Sequence, residues 1–305
     1  MTKGTHAHQE DPHNESILVY VNGELVPRNE AKVSVFDSGF ILGDGVWEGL
    51  RLYNGRIAFL QAHLDRLYEG AKAIDMDIGM NREELTAAIY QTTEGNGMSS
   101  EVHIRLMVTR GLKATPYQDP RVTVSPPTIV IIPEYKTPEP ELQQRGVRLF
   151  TVHVRRGAPD VQDPRLNSHS KLNCITACIQ AAKAGADEAL MLDPHGFVAT
   201  CNSTNFFIVR RGGVWTSTGK YCLNGITRGN IIKLCQQHGI PVFERDFSLT
   251  DVYGADETFL TGTFAGVTPG VEVDGRVIAD GSRGPLTHRL QKLYASMIEE
   301  ECAPR

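Results

Sequence analysis

A lysine precedes a run of small and apolar residues in the second half of the chain. Lys171 is followed by Leu172, and alanine, isoleucine and cysteine recur over the next turns, a pattern typical of a buried helix. Burial lowers the pKa of an amine, and a neutral amine can form a Schiff base with a carbonyl group. A lysine at the start of such a helix can also extend its charge into solvent. The residue types alone therefore leave a catalytic and a structural role open.

Two further segments contain glycine and hydroxyl residues in patterns that suit anion binding. Gly225-Ile226-Thr227 leads into an apolar run, and the N–H groups at the start of a helix attract phosphate. An ordinary threonine N-cap is the alternative. Thr261-Gly262-Thr263 follows a predicted strand, and a loop of this kind can present backbone N–H groups to a phosphate or a carboxylate. A plain loop is the alternative there.

Turn and periodicity signals predict the elements that must position these segments. Asn22-Gly23 and Asn54-Gly55 lie between apolar runs and predict two β-hairpins, because this dipeptide readily adopts the positive φ angles of a type I′ turn. Helical spacing predicts helices over residues 60–74, 82–93, 172–184, 227–238 and 286–300. Apolar runs predict strands over residues 103–109, 128–132, 147–154, 188–192, 205–209 and 257–260. Because helices and strands mix without strict alternation, we predict an α+β fold.

The length and composition predict two domains. The chain has 305 residues, of which 41% are hydrophobic and 22% charged, as in globular proteins. Three prolines among charged residues predict a linker near residues 133–141. We therefore expect a flexible tail over residues 1–16, a small N-terminal domain over 17–133, a linker over 134–146 and a large C-terminal domain over 147–305.

The charge, hydropathy and cysteine patterns argue against nucleic-acid, membrane and metal binding. A formal net charge of −5 gives no electrostatic reason to expect nucleic acid or an anionic membrane. No stretch has the roughly 20 apolar residues of a membrane span, and the N-terminus lacks the apolar run of a signal peptide. The six cysteines are scattered without the spacing of a metal site, which favours reduced thiols, a cytoplasmic location and no metal.

Several segments together resemble a known family. Residues 33–40 (VSVFDSGF) and 43–49 (GDGVWEG) resemble the N-terminal signature of fold-type IV pyridoxal-phosphate (PLP) enzymes. Branched-chain aminotransferases, D-amino acid aminotransferases, (R)-selective amine transaminases and aminodeoxychorismate lyases form this group. Further matching segments follow in the family's order, namely 63–67 (HLDRL), the lysine region, 187–193 (DEALMLD), 225–228 (GITR), 261–263 (TGT) and 271–275 (VEVDG). The chain is therefore identified as a member of the class IV aminotransferase family.

The resemblance implies a fold and a cofactor. It implies a two-domain fold like that of D-amino acid aminotransferase, with a small N-terminal α/β domain, a larger C-terminal domain, PLP in the cleft and a homodimeric assembly. Lys171 would hold PLP as a Schiff base and move the substrate proton, and Arg66 would bind the cofactor phosphate. The remaining cofactor contacts would come from two loops and one strand: Thr200, Gly225, Ile226, Thr227, Gly262 and Thr263.

Two positions depart from the family pattern. Thr200 stands where a glutamate usually pairs with the pyridine nitrogen and keeps it protonated, and a hydroxyl can only hydrogen-bond there. The stretch from Lys171 to Gly185 is about one helical turn shorter than usual, and Thr176 is nearest to the place of a common tyrosine.

The substrate residues implied by the resemblance favour an L-amino acid. Arg105 resembles the arginine that supports the carboxylate site of branched-chain enzymes, although His103 replaces their preferred tyrosine. The Arg-x-His pair of D-amino acid enzymes is missing from residues 111–118. The carboxylate-binding turn would contain Thr263, Phe264 and Ala265, while Leu42 and Trp47 would form an apolar wall, with simple core packing as the alternative for Trp47.

These observations predict a PLP-dependent aminotransferase. The expected donor is an L-amino acid of the branched-chain type, and the expected acceptor is a 2-oxo acid such as 2-oxoglutarate. An (R)-selective amine or D-amino acid transaminase is the main alternative. An aminodeoxychorismate-lyase-like PLP lyase and a PLP-binding protein with weakened catalysis, the latter suggested by Thr200, also remain open.

Overall fold

The computed structural model describes residues 4–303, and in its first half the two predicted hairpins join a six-stranded antiparallel sheet. The strands are β1 (Leu18–Val21), β2 (Glu24–Pro27), β3 (Gly45–Tyr53), β4 (Arg56–Ile57), β5 (Val102–Thr109) and β6 (Thr128–Tyr135). Their spatial order is β2-β1-β6-β5-β3-β4. Three helices belong to the same part of the chain: α1 (Ser38–Leu42), α2 (Leu60–Ala73) and α3 (Arg82–Gly95).

The two faces of this sheet have different chemistry. Leu50 on β3 lies opposite Ile104 on β5, and this face joins Leu64 of α2 in one buried apolar cluster. Successive residues of a strand point to opposite faces. Trp47 and Arg105 therefore share the other face, which can present polar groups without exposing the core to water.

The second half of the chain forms a nine-stranded mixed sheet. Its strands are β7 (Val147–Thr151), β8 (Glu188–Leu192), β9 (Val198–Cys201), β10 (Asn205–Arg210), β11 (Gly213–Thr216), β12 (Val242–Glu244), β13 (Glu257–Gly262), β14 (Gly266–Val273) and β15 (Arg276–Val277). The accompanying helices are α4 (Leu142–Arg145), α5 (Pro159–Gln162), α6 (Leu172–Lys183), α7 (Ile226–Gln237), α8 (Leu249–Tyr253) and α9 (Pro285–Glu301). No helix within residues 4–303 is long and apolar enough to cross a bilayer.

The described chain divides into two units. One contains Glu10–Thr137, Leu166–Lys171 and the described residues from Glu301 onward. The other contains the described residues up to Gln9, Pro138–Arg165 and Leu172–Glu300. We call residues 166–171 the lysine segment. This segment belongs to the unit of the six-stranded sheet, so the division differs from a single predicted boundary near residue 140.

Most predicted elements are confirmed. The five predicted helices correspond to α2, α3, α6, α7 and α9, and the predicted mixture of helices and strands agrees with the two sheets. The predicted linker over 134–146 differs from the structure, because β6 continues to Tyr135 and α4 occupies Leu142–Arg145. The strands that the sequence patterns missed are mostly short, such as β11 and β12, and short strands carry little periodic signal.

The prediction of a flexible tail over residues 1–16 is wrong for residues 4–16, the part that the structure describes. Short 3₁₀ helices form at Gly4–His6 and Pro12–Glu15, and Gly4, Thr5 and Ala7 are buried. The physical reason is a buried acceptor, because the Thr5 backbone N–H donates to Glu188 Oε1 over 3.0 Å and the Thr5 hydroxyl donates to the same oxygen.

Candidate active site

The lysine segment runs beside the start of β3. The Trp47 backbone N–H donates to the Asn167 carbonyl over 3.0 Å, and the His169 backbone N–H donates to the Gly45 carbonyl over 3.0 Å. The Asn167 side chain returns a bond, since its Nδ2 donates to the Trp47 carbonyl over 2.6 Å. These bonds fix the backbone that leads to Lys171.

The Lys171 amine is held by two neighbours in this unit. Its Nζ donates to Asn167 Oδ1 over 3.1 Å and lies 5.2 Å from the centroid of the Trp47 ring. The indole is itself fixed, because Trp47 Nε1 donates to the Ser168 carbonyl over 3.0 Å. A carbonyl oxygen and an aromatic face both favour the protonated amine. The lysine is thus held in place by polar contacts and does not simply extend into solvent.

The sheet face that carries Trp47 also presents a second cation. The Arg105 guanidinium stacks on the indole, with Cζ 3.9 Å from the ring centroid. Burial lowers the pKa of Arg105, and the negative charge of Glu134 opposes that shift. His103 lies on the same face, where a Cβ added at Gly49 would be 3.4 Å from its Nε2. Trp47 contacts two cations, so it does more than fill a core; Leu42, half-buried, ends α1.

Arg66 is part of a buried ionic cluster. Its Nε donates to Glu48 Oε1 over 2.8 Å and its Nη2 donates to Glu48 Oε2 over 2.7 Å. His63 Nδ1 lies 2.7 Å from Glu48 Oε2, and the carboxylate is fully buried. Burial alone raises the pKa of Glu48, but the charge of Arg66 and the hydrogen bonds from His63 and Arg66 outweigh it and lower that pKa. The two bonds to Glu48 therefore fix the plane of the Arg66 guanidinium.

The GITR segment forms the beginning of α7. Gly225 is the N-cap residue of α7, and Thr227 lies inside the helix. The threonine N-cap considered from the sequence is therefore not what the structure shows. A side chain at Gly225 would put a Cβ only 2.3 Å from Asn205 Oδ1, which explains the glycine. Ile226 and Thr227 open the helix, and the Thr227 hydroxyl lies 3.3 Å from the Tyr294 hydroxyl. The first backbone N–H groups of α7 thus point out of the helix end, where an anion is favoured.

The predicted carboxylate turn is a tight hairpin loop. Thr263, Phe264 and Ala265 connect β13 to β14, and Gly266 closes the loop with a φ of +65°. Thr261 and Gly262, expected in the loop, instead lie in β13. Phe264 is buried, and the His6 ring stacks on it with centroids 5.8 Å apart and planes at 16°. Residues near the N-terminus therefore cover this turn.

Thr200, Thr204 and Thr261 in the second unit have buried hydroxyl groups. The Thr200 hydroxyl donates to the Thr204 carbonyl over 2.7 Å, so its oxygen is left to accept hydrogen bonds. The Oγ1 atoms of Thr204 and Thr261 are buried and have no hydrogen-bond partner among the described residues. Thr204 also lies next to the 261–263 segment, because a Cβ at Gly262 would be 3.1 Å from its Cγ2. Such donors suit an anionic or carbonyl-bearing ligand.

The predicted residues fall into the two units. Leu42, Trp47, Arg66, His103, Arg105 and Lys171 lie in the unit of the six-stranded sheet, and the other predicted residues lie in the second unit. Sequence reasoning missed Glu48, His63, Asn167 and His6. Glu48 and His63 stand within motifs that matched the family, so a carboxylate within a buried strand was the available signal. No local pattern indicates Asn167 or His6.

Residues 45–273 match the family model described as amino-transferase class IV, which is most of the chain. The chain belongs to the class IV aminotransferase family. This membership confirms the family expected from the motifs.

Relatives of this chain in the class IV family carry two kinds of name. It is 42% identical to the putative branched-chain-amino-acid aminotransferase of Methanocaldococcus jannaschii, covering 90% of this chain and 94% of that protein. It is 36% identical to a D-alanine aminotransferase of Listeria monocytogenes, covering 93% and 97%. It is 41% identical to branched-chain-amino-acid aminotransferase-like protein 1 of Arabidopsis thaliana over 96% of its own length, but spans only about half, 53%, of that relative.

Solved structures confirm the fold of this class IV aminotransferase. The branched-chain aminotransferase of Thermoproteus uzoniensis with norvaline superposes with a TM-score of 0.82 at 33% identity, covering 94% of this chain and 95% of that chain. The PLP form of the branched-chain amino acid aminotransferase of Thermobaculum terrenum superposes with a TM-score of 0.84 at 26% identity over the same shares. The two-unit mixed α and β architecture is therefore that of the fold-type IV enzymes.

Proposed function

We propose that the chain is a PLP-dependent aminotransferase that moves an amino group from an L-amino acid of the branched-chain type to a 2-oxo acid such as 2-oxoglutarate. The observation that carries the proposal is the Lys171 amine, held by Asn167 beside an indole that also supports Arg105. A held amine near a guanidinium suits a substrate with both a reacting nitrogen and a carboxylate. The names of the branched-chain relatives support the substrate class.

The residues of the chain fit PLP as a cofactor. The buried, unpartnered hydroxyls of Thr204 and Thr261 and the N–H groups at Ile226 and Thr227 can donate hydrogen bonds to an anion. Thr263 and Arg66 are the further proposed phosphate contacts, with Gly225 and Gly262 keeping their loops free of side chains. When bound, PLP supplies an electron sink for the charge left on the substrate α-carbon.

Lys171 has the two roles that the reaction requires of this chain. Its Nζ anchors the cofactor, and as a released amine it removes the α-proton and later returns a proton. The Asn167 oxygen and the Trp47 ring stabilise Nζ while it holds that proton. Thr200 differs from a carboxylate because its hydroxyl hydrogen is engaged by Thr204, so it can only accept a hydrogen bond from a protonated ring nitrogen.

We assign proposed substrate contacts to residues of each unit separately. Arg105 provides the positive charge for a carboxylate, and His103 is the neighbouring polar group on its strand face. The backbone N–H groups of the Thr263–Ala265 turn are further carboxylate donors. Trp47 and Leu42 offer apolar surface to an aliphatic side chain.

We also propose a cytoplasmic homodimer. All six cysteines are free thiols, as expected in a reducing compartment. The dimer rests on family resemblance, and the exposed apolar residues of α6, including Leu172 and Ile175, offer a surface that a second copy could cover.

The test is the visible spectrum of the purified holoenzyme with separate amino donors. We expect L-leucine, L-valine or L-isoleucine to remove the band near ~410 nm and produce one near ~330 nm, and 2-oxoglutarate to reverse the change. Borohydride reduction followed by peptide mapping should place the cofactor on Lys171. The matched control donors are the D-enantiomers and (R)-configured amines.

Each alternative predicts a different result. Conversion only by D-amino acids or by (R)-amines would contradict the L-amino acid proposal, and the 36% identical D-alanine aminotransferase makes that comparison necessary. Pyruvate release without an acceptor would indicate a lyase. A retained visible band that no amine changes would indicate a binding protein with weakened catalysis.

A further inference from the structure

We propose that Asn167 is the positioning residue of the Lys171 amine. The inference rests on the proposed function, because it assigns how the cofactor-binding amine is held. It concerns a residue that the motifs did not indicate.

Asn167 is fixed before it contacts the lysine. Asn167 is 6% exposed. Its backbone carbonyl accepts from the Trp47 N–H over 3.0 Å, and its side-chain Nδ2 donates to the Trp47 carbonyl over 2.6 Å. Because Nδ2 donates, the amide orientation is determined and Oδ1 faces the lysine as an acceptor. A side chain held in this way costs little further entropy when it orients a second group.

Lys171 reaches back over four residues to this acceptor. Its Nζ lies 3.1 Å from Asn167 Oδ1 and 5.2 Å from the Trp47 ring centroid. Trp47 therefore holds both the amide and the amine. The result is a fixed position for Nζ at the end of a long side chain, which is the condition that accurate proton transfer requires.

The charges around the amine set the sign of the expected effect. Two such groups in its own unit are Arg105 on β5, stacked on the same indole, and His169 in the lysine segment. Burial lowers the pKa of His169, the hydrogen bond to the Val46 carbonyl and the charge of Asp37 oppose that shift, and Lys171 and Arg105 add to it. Neither Arg105 nor His169 brings negative charge to the amine. The neutral oxygen of Asn167 is a polar group that favours the protonated nitrogen, and its removal should make that nitrogen more acidic.

The first experiment measures the pH midpoint of the visible absorbance change of holoenzymes that carry Asn167→Ala or Asn167→Asp. We expect alanine to lower the midpoint by about 1 pH unit and aspartate to raise it by about 1 to 2 units. Aspartate has the shape of asparagine, so it remains informative where alanine disturbs folding. Asn173→Ala is the matched control, because Asn173 Nδ2 donates to the Arg155 carbonyl, and it should leave the midpoint unchanged.

The second experiment tests which residue anchors the cofactor. Lys171→Ala should lose the borohydride-reducible adduct, whereas Asn167→Ala should keep it on Lys171. Loss of the adduct in both variants, with PLP still bound reversibly, would show that Asn167 does more than position the amine.

The outcomes separate this inference from the proposed function. A wild-type adduct on another lysine would contradict the assignment of Lys171 itself. A wild-type adduct on Lys171, together with an unchanged midpoint in both Asn167 variants, would overturn only the role of Asn167.

Discussion

Two buried glutamates, one in each unit, are stabilised in opposite ways. Glu48 is surrounded by Arg66 and His63, and its pKa is lowered despite burial. Among residues 4–303, the donors to the Glu188 side chain are Thr5 and a hydroxyl of Ser203 at 3.5 Å, and burial raises the pKa of Glu188. The charge of Arg66 helps to keep Glu48 ionised, whereas burial and the nearby charge of Asp187 favour the protonated form of Glu188.

The candidate site residues of the two units also differ in the kind of polar group that they contribute. The unit with the six-stranded sheet contributes side chains that carry or accept charge: Glu48, Arg66, Arg105 and Lys171. The second unit contributes hydroxyls and backbone N–H groups, at Thr200, Thr227 and the Thr263–Ala265 turn. Charged groups act at a fixed point only when neighbours hold them, so the first unit needs its paired ions, while backbone N–H groups are fixed by the fold itself.

The largest expected effect tests the charged unit. Lys171→Ala should lower amino-group transfer by on the order of 10³-fold or more, because it removes both the anchoring amine and the proton carrier. The measurement is kcat/KM with L-leucine and 2-oxoglutarate. Lys183→Ala, an exposed lysine at the end of α6, is the control and should retain activity. Equal activity in the two variants would show that the reactive amine belongs to a residue other than Lys171.

The next effect concerns stability around Glu48. Glu48→Gln should lower the free energy of unfolding at pH 7 by about 3 to 5 kcal/mol, because it leaves the largely buried Arg66 guanidinium without its anion. Because the folded-state pKa of Glu48 is lowered, its contribution is present above the unfolded pKa and is lost as pH falls through the folded pKa. Urea unfolding of wild type and variant at pH 7 and in acid measures this.

The control for that change is an exposed ion pair in the same unit. Asp65 and Arg82 are 2.6 Å apart with side chains 61% and 42% exposed, so Asp65→Asn should change stability by less than about 1 kcal/mol. A Glu48→Gln protein as stable as Asp65→Asn would show that the buried cluster contributes no more than a surface pair.

Glu188 should behave with the opposite sign. Its folded-state pKa is raised, so folding is penalised as pH rises above the unfolded value. Glu188→Gln keeps an acceptor for Thr5 and should raise stability at pH 8 by about 1 to 2 kcal/mol, with the difference shrinking at pH 4. Exposed Glu299→Gln should show no such dependence. A loss of stability at pH 8 would indicate that the charge itself is needed.

The smallest effect concerns the aromatic cover of the 263–265 turn. His6→Ala should lower stability by about 0.5 to 1.5 kcal/mol, since it removes the stack on Phe264. His6→Phe should restore most of it. Thermal unfolding measures both, and an unchanged midpoint in the alanine variant would show that residues near the N-terminus do not support the turn.

The sequence alone determined the elements and the candidate residues. Apolar spacing located α2, α3, α6, α7 and α9, because long amphipathic patterns are strong local signals. Short motifs in the family's order identify the family and indicate Lys171, Arg66 and Thr227 as candidate residues. These features depend on residues close together in the sequence, so they can be recognised without the tertiary structure.

Only the tertiary structure decided which groups hold those residues. Asn167 meets both Trp47, 120 positions away, and Lys171, and Thr5 meets Glu188 across 183 positions. Such pairs depend on strand register and on how the chain returns to the sheet, which residue spacing does not encode. For the same reason residues 4–9 were expected to be solvated, whereas the buried carboxylate of Glu188 orders them.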